Sequence, residues 1–249
     1  MKLKILVVVP VIIVGIGIAT GASAQQGADP FVYCQDTHVK PGQGSELEAG
    51  VEDRNARFAR ANVTYGFATA VSDRGVYRNC TFGLPNMAAL DERRAQLSGV
   101  EPNAVGRTRR AAATARFETS VYRSRPEESF RPVNPRVPRE ERGFFREFSF
   151  YTKGTGGVRN VLQRFRALVE ERDIRMGYLV QTRAVGSGPN LRLWFFARDA
   201  TDFYAEWPRM VEQMGDEFRT LAAELFALSD RTDQTNWTLR RDLGYQPAN

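Results

Sequence analysis

The chain has 249 residues and a formal net charge of +6, with one histidine and two cysteines. One histidine and two cysteines are too few ligands for a usual zinc or copper site. Any catalytic triad would have to use the single histidine. The sequence therefore predicts neither a metal site nor a cofactor. The basic excess is small and spread along the chain, which argues against nucleic acid as a partner and indicates mainly solubility.

The first 24 residues have the pattern of a secretory signal peptide. Lys2 and Lys4 precede an apolar run over residues 5 to 19, and small residues at 22 to 24 form a cleavage site before Gln25. The alternative is a retained membrane anchor, for which the run is short, because a spanning helix needs roughly 20 residues. We expect a periplasmic or secreted protein that is free of the membrane after cleavage and carries a net charge of +4.

The rest of the chain shows one pattern of elements twice. Residues 144 to 152 are rich in aromatic residues and predict a strand, and an apolar stripe at helical spacing follows. Two strands joined by a turn at 186 to 190 come next, then a helical region from about 201 to 227 that Pro208 is expected to interrupt, then a last strand. The first half of the chain has the same order of elements. Its residues align with those of the second half at a shift of 113 residues before the turn at 186 to 190 and of 115 residues after it.

The order β-α-β-β-α-β, repeated, predicts an α+β protein made of two ferredoxin-like units, each with four antiparallel strands and both helices on one face of the sheet. The run Leu193 to Phe196 is apolar on both sides of its strand, so that strand is expected to be buried on both faces. Pressing the two bare sheet faces together, as a closed eight-stranded sandwich or barrel within one chain, satisfies this requirement.

The predicted division is a signal peptide at 1–24, a first repeat at 31–132, a linker at 133–143 and a second repeat at 144–247. The linker is rich in proline and charge, as interdomain segments are.

The element order, the face-to-face pairing and the sequence HVKPG after the first strand (His38 to Gly42) resemble the dimeric α/β barrel superfamily, including antibiotic-biosynthesis-monooxygenase-like proteins. Here a tandem fusion would replace the usual homodimer. Members of that superfamily include cofactor-independent oxygenases, haem-degrading enzymes, isomerases and proteins of unknown role, so the resemblance implies a fold and leaves the activity open.

Five residues are candidates for binding a ligand. His38 ends the first predicted strand and Tyr151 takes the equivalent place in the second repeat, while Tyr65, Tyr178 and Trp194 could line a pocket between the sheets together with Phe150 and Phe196. The alternative is that the aromatic residues simply fill the core and that the histidine is structural. No catalytic residue is predicted.

Two functions follow from these residues. One is a non-catalytic exported protein that binds a small apolar or aromatic ligand, or a protein partner. The other is a cofactor-independent oxygenase or isomerase that acts on an aromatic substrate in the cavity between the sheets. The sequence predicts no oligomeric state.

Three further expectations concern smaller features. Cys34 and Cys80 would lie on neighbouring strands, where a disulfide and two free thiols are equally expected. The basic run 107–116 is expected to be a solvated helix face. Phe130 and Tyr245, in equivalent tails after the last strand of each repeat, are expected to be buried against the opposite repeat.

Overall fold

The structure, a computed structural model, describes residues 30–100, 104–154 and 156–247. The expected signal peptide lies outside these residues. Within the described ranges, no helix is long and apolar enough to cross a membrane.

Each half of the chain folds as a βαββαβ unit. In the first half the second helix is divided in two, and its elements are β1 (Phe31–Val39), α1 (Gly44–Arg60), β2 (Ala68–Ser72), β3 (Val76–Leu84), α2 (Ala88–Ser98), α3 (Ala104–Ala113) and β4 (Thr114–Ser124). The second half contains β5 (Phe144–Thr152), α4 (Gly156–Glu171), β6 (Tyr178–Gly186), β7 (Leu191–Ala197), α5 (Ala200–Ala227) and β8 (Ser229–Leu239).

The eight strands form one closed antiparallel barrel in the order β1-β3-β2-β8-β5-β7-β6-β4. Each repeat supplies four adjacent strands, and the repeats join where β2 pairs with β8 and where β4 pairs with β6. The predicted α+β class, with two ferredoxin-like repeats forming a barrel within one chain, is confirmed. Closure leaves no unpaired sheet edge between the repeats.

Side chains alternate between the barrel interior and the helix-covered outer face, because successive residues of a strand point to opposite faces. Phe145, Trp194 and Trp237 belong to an interior cluster. The larger apolar cluster of the second repeat lies between the outer sheet face and helices α4 and α5.

A disulfide joins Cys34 in β1 to Cys80 in β3. The two residues are direct cross-strand partners in the β1–β3 ladder, and both are buried in the interior cluster. The arrangement therefore brings both sulfur atoms to one face of the sheet, as the bond requires.

The tails after β4 and β8 cross to the opposite repeat. Phe130 forms an isolated bridge with Tyr178 at the start of β6, and Tyr245 forms one with Phe67 just before β2. Both rings are buried, Phe130 in the cluster of the second repeat and Tyr245 in a cluster of the first. The expectation that these tails clasp the opposite repeat is confirmed.

Helix α5 differs from its predicted form in the position of its break. It continues through Pro208, and the non-helical residue is Gly215, with φ of 66° and ψ of −153°. This positive φ is accessible to glycine because it has no Cβ. Helix α5 is therefore two helical segments joined at Gly215.

Candidate functional site: an aromatic pocket under α4 and α5

A cavity of about 320 Å³ lies between helices α4 and α5 and the outer face of the second repeat's sheet. Its walls are almost entirely apolar. The sheet contributes Phe148, Phe150 and Phe195, α4 contributes Phe165, and α5 contributes Trp207 and Phe218. We call this cavity the α4–α5 pocket.

Both segments of α5 contribute to the pocket wall. Phe203 and Trp207 come from the first segment, and Phe218 and Leu221 come from the second. Their spacing places them along one stripe of the helix, which faces the sheet.

Trp207 forms the centre of the aromatic wall. Its ring stacks on Phe148 at a centroid distance of 5.2 Å and on Phe203 at 5.4 Å, and it meets Phe195 edge-on at 5.1 Å. Stacked and edge-to-face arrangements are the favoured geometries of aromatic pairs. The wall is therefore a group of ordered, mutually packed aromatic rings.

Polar side chains gather at one edge of this pocket. Arg146 Nη1 donates hydrogen bonds to Tyr204 Oη at 2.6 Å and to Asn236 Oδ1 at 2.7 Å, and its Nη2 donates to Gln234 Oε1. Three of these residues, Arg146, Tyr204 and Gln234, line the pocket. All the acceptors are neutral, and within the described chain no carboxylate lies within salt-bridge distance of Arg146, so its charge is available to a ligand.

The barrel interior, where the sequence placed the ligand cavity, is filled by side chains. A buried ion network crosses it from one repeat to the other. Arg78 donates to both carboxylate oxygens of Asp36, at 2.7 and 2.8 Å, and pairs with Glu147. Arg192 lies 3.6 Å from Glu147, and Trp194 Nε1 donates to the same carboxylate at 2.7 Å.

The network holds its two acids, Asp36 and Glu147, in their charged forms. Burial alone would raise the pKa of Glu147, but the guanidinium groups of Arg78 and Arg192 outweigh burial and hold that pKa below its usual range. The pKa of Asp36 is lowered in the same way, against burial and chiefly by Arg78. Two acids thus balance the charge of two arginines in the interior. Hydrogen bonding is less complete, because Nε and Nη1 of the buried Arg192 have no hydrogen-bond partner among the described residues.

His38 and Tyr151 occupy the equivalent places that the repeat predicts, near the ends of β1 and β5. These strands run in the same direction, because they are four positions apart in an antiparallel barrel, so both residues lie at one mouth of the barrel. His38 Nε2 lies 3.4 Å from Glu118, and the Arg231 guanidinium lies 3.7 Å from the centroid of the Tyr151 ring. Neither residue lines the α4–α5 pocket.

The other three predicted site residues lie in separate places. Tyr65 is partly exposed and donates its hydroxyl hydrogen bond to Glu92 at 3.0 Å. Trp194 is packed inside the barrel. Tyr178 lies behind the pocket, where it packs against two of the lining rings, Phe165 at 5.1 Å and Phe195 at 5.2 Å. The structure therefore does not bring the five candidates together.

Of the aromatic residues named from the sequence, Phe150 lines the α4–α5 pocket. Sequence reasoning missed Arg146, Trp207 and Phe218. The sequence did carry a signal for the two helix residues, because the helical region 201–227 is dense in aromatic residues. The structure shows that this region continues past Pro208 and is interrupted at Gly215. Within the described ranges, no group of three or more histidine, cysteine, aspartate or glutamate side chains could hold a metal ion.

No protein-family model and no curated protein matches the chain by sequence. Solved structures do match in fold. An anthrone oxidase-like protein is similar over 86% of this chain and 92% of its own, with a TM-score of 0.60 and 10% identity. A proposed monooxygenase from Lactobacillus acidophilus NCFM matches over 88% and 97%, with a TM-score of 0.54 and 10% identity.

Chlorite dismutase from Candidatus Nitrospira defluvii matches over 86% of this chain and 92% of its own, with a TM-score of 0.53 and 8% identity. At such identities the likeness shows the fold alone. The chain therefore has the dimeric α/β barrel fold, with both halves of the barrel in one polypeptide.

Proposed function

We propose that this protein binds a small aromatic or apolar molecule in the α4–α5 pocket, without chemical turnover, and that Arg146 receives an acidic group of the ligand. The observation that carries the proposal is the pairing of an aromatic cavity of about 320 Å³ with an arginine at its edge whose hydrogen-bond partners are all neutral.

The size and chemistry of the pocket support a ligand with either a single aromatic ring or two fused rings. Pockets for small molecules span roughly 300–1,000 Å³ and combine apolar walls with a few placed polar groups. This pocket lies at the lower end of that range. The flat ring of Trp207, stacked on Phe148 and Phe203, favours a planar group over a bulky one.

The polar edge supports an acidic group on the ligand. An arginine hydrogen bond to a carboxylate or a similar anion is stronger than a bond between neutral groups. Arg146 is already oriented by Tyr204, Gln234 and Asn236, so little side-chain freedom is lost when an anion binds. An anionic aromatic molecule therefore satisfies both ends of the pocket.

Export is part of the proposal. It is supported by the signal-peptide pattern of the first 24 residues and by the Cys34–Cys80 disulfide, since stable disulfides belong mainly to oxidising compartments. An exported binder of this kind would meet its ligand outside the cytoplasm.

The proposal is tested with the fluorescent probe 1-anilinonaphthalene-8-sulfonate, which is aromatic and anionic. Ala222 lines the pocket, whereas its neighbour Ala223 is exposed on the same helix. Ala222→Trp should fill the cavity and weaken probe binding at least tenfold, while Ala223→Trp should leave the affinity unchanged. Equal binding by both variants would contradict the proposal.

A cofactor-independent oxygenase acting in the same pocket is the second candidate. It is favoured by the guanidinium of Arg146 and the Tyr204 hydroxyl, which together could stabilise negative charge on an aromatic substrate. Mass spectrometry of the molecule retained on purification separates the two functions. A binder returns the retained molecule unchanged after aerobic incubation, whereas an oxygenase returns one that has gained oxygen.

A further inference from the structure

A second cavity, of about 610 Å³, lies in the first repeat between the outer sheet face and helices α1 and α3. Its floor is polar, unlike the walls of the α4–α5 pocket. The strands contribute Gln35, Thr37, Thr69, Tyr77 and Asn79. We call this cavity the α1–α3 pocket.

Four arginines line the α1–α3 pocket: Arg54 from α1, Arg107 and Arg110 from α3, and Arg116 from β4. The basic run 107–116 was expected to be a solvated helix face, and Arg107, Arg109 and Arg116 are indeed exposed. The run also continues from α3 into β4, and Arg110 is partly buried. Arg109 lies 3.6 Å from Glu46 and does not line the cavity, whereas Arg107, Arg110 and Arg116 do.

The positive charge of the α1–α3 pocket is poorly compensated. Arg116 pairs with Glu118 at 3.2 Å, but in the described part of the chain no carboxylate lies within salt-bridge distance of Arg54, Arg107 or Arg110. Arg110 Nη1 donates to the carbonyl oxygen of Gly50 at 2.7 Å, which orients its guanidinium without neutralising it.

The acids nearest to the cavity have other partners. Glu48 accepts hydrogen bonds from Tyr77 at 2.6 Å and from Arg240 at 2.7 Å. Asp53 lies 3.4 Å from Arg57. Glu48 and Asp53 therefore have partners outside the set of lining arginines. Asp53 also attracts Arg110, but burial and repulsion from Arg57 outweigh it and lower the pKa of Arg110.

Arg54 shows the cost of this arrangement. Burial, followed by repulsion from Arg110, Arg93 and Arg57, lowers the pKa of its guanidinium to about 9. Its contacts are neutral: Nε and Nη2 donate to Asn55 Oδ1 at 3.4 Å, and the guanidinium lies 4.6 Å from the Phe67 centroid and 5.7 Å from the Phe58 centroid. A buried cluster of like charges is costly unless an anion completes it.

We propose that the α1–α3 pocket binds a small phosphorylated molecule, with the phosphate between Arg54 and Arg110 and the polar body of the ligand against the strand residues of the floor. The planar guanidinium fork matches the geometry of phosphate oxygens, and several arginines converging on one cavity suit a group with two negative charges. The hydroxyl and amide side chains of Thr37, Gln35 and Asn79 supply partners for an uncharged polar body. This site is separate from the α4–α5 pocket and does not depend on the function proposed there.

Isothermal titration calorimetry with pyrophosphate, at constant ionic strength, tests the proposal. We expect one binding site per chain. Arg54→Gln and Arg110→Gln should each weaken binding at least tenfold, because each removes one of the two guanidinium groups. Arg107→Gln should weaken it several-fold, and because this side chain is exposed its removal leaves folding unaffected.

Two controls make the result specific. Arg94→Gln, at an exposed position of α2 in the same repeat, should change the affinity less than twofold. Ala222→Trp, which blocks the α4–α5 pocket, should leave pyrophosphate binding unchanged, so that failure of one proposed site is distinguished from failure of the other.

The proposal is overturned if pyrophosphate does not bind at millimolar concentration, or if the Arg54, Arg107 and Arg110 variants bind as tightly as the parent. Citrate serves as a second anion with carboxylates in place of phosphates. If citrate binds more tightly than pyrophosphate at the same ionic strength, the assignment to phosphorylated ligands is wrong.

Discussion

Tyr245 and Phe67 exchange two backbone hydrogen bonds, of 3.0 and 2.9 Å, although they belong to different repeats. Phe130 and Tyr178 form an equivalent pair of bonds, of 3.0 and 2.9 Å. Here the tail belongs to the first repeat and its partner to the second. Each tail thus adds a short bridge to the other repeat, and the two bridges hold the barrel closed from both sides.

Truncating Tyr245 to alanine should destabilise the protein by about 3 kcal/mol, as expected for a large aromatic side chain removed from a core. The ring is buried against Phe58 and Phe67, at centroid distances of 5.7 and 6.2 Å. Urea denaturation measures the change in unfolding free energy. Binding of the naphthalene probe by the folded fraction should be unaffected, because the tail lies far from the α4–α5 pocket in the fold.

Tyr245→Phe is the matched control for the ring itself. It keeps the packing and removes only the hydroxyl group, which donates to the carbonyl oxygen of Val63 at 2.9 Å. The loss should be about 1 kcal/mol, the typical worth of one hydrogen bond. A Tyr245→Ala protein that melts like the parent but fails to bind the probe would show that the tail belongs to a ligand site rather than to a clasp.

The repeat could be predicted from sequence because strand and helix periodicities report which residues are buried, and both copies preserve the order of elements. The tails followed from the same alignment. Each tail passes close to a glycine of the other repeat. A Cβ on Gly66 would lie 2.9 Å from the backbone carbonyl oxygen of Tyr245, and one on Gly177 would lie 3.1 Å from that of Phe130. The absence of a side chain at these two positions therefore gives the tails room to cross.

The pockets could not be predicted in the same way. Periodicity identifies the apolar face of a helix but not the distance between that helix and the sheet. It also does not report backbone geometry, so the break of α5 was expected at Pro208 and lies at Gly215. The ion network of the interior was equally hidden. Alternation places Arg78 and Glu147 inside the barrel, but their pairing joins different repeats and needs the barrel to be closed.

Removing the Cys34–Cys80 disulfide should destabilise the protein by about 4 kcal/mol. The bond closes a loop with a sequence separation of 46 residues, and the entropy that such a loop loses in the unfolded chain gives this magnitude. A Cys34→Ala/Cys80→Ala double variant, compared with the parent by urea denaturation under oxidising conditions, measures it. Under a strong reductant, the difference in unfolding free energy between parent and double variant should shrink. If this difference is the same with and without reductant, the disulfide is not formed.

Replacing Glu147 with glutamine should destabilise the protein by about 3 kcal/mol at pH 7, because it leaves the buried Arg78 with less compensating charge. The folded-state pKa of Glu147 lies below the ordinary value of 4.5, so its charge stabilises the fold above pH 4.5 and that contribution is lost as the pH falls through the lowered pKa. The gap between parent and variant should therefore narrow below pH 4.5.

Thermal unfolding measured from pH 7 to pH 3 checks this pH dependence. Glu171→Gln is the control, because Glu171 is an exposed residue of α4 that lies 3.7 Å from Arg172, and its replacement should change the melting temperature little at any pH. A Glu147→Gln gap that stays constant down to pH 3 would mean that the charge of Glu147 does not contribute to the acid sensitivity of the fold.

Replacing Arg146 with glutamine should separate the two features that we ascribe to the α4–α5 pocket. The anionic probe 1-anilinonaphthalene-8-sulfonate should bind roughly tenfold more weakly, since a hydrogen bond to a charged group contributes about 1.5 kcal/mol or more. The uncharged probe N-phenyl-1-naphthylamine has a similar ring system and should keep its affinity within twofold, because the walls around Trp207 are unchanged. Fluorescence titration of both probes against parent and variant gives the comparison. Equal weakening of both probes would mean that Arg146 supports the shape of the pocket rather than the charge of its ligand.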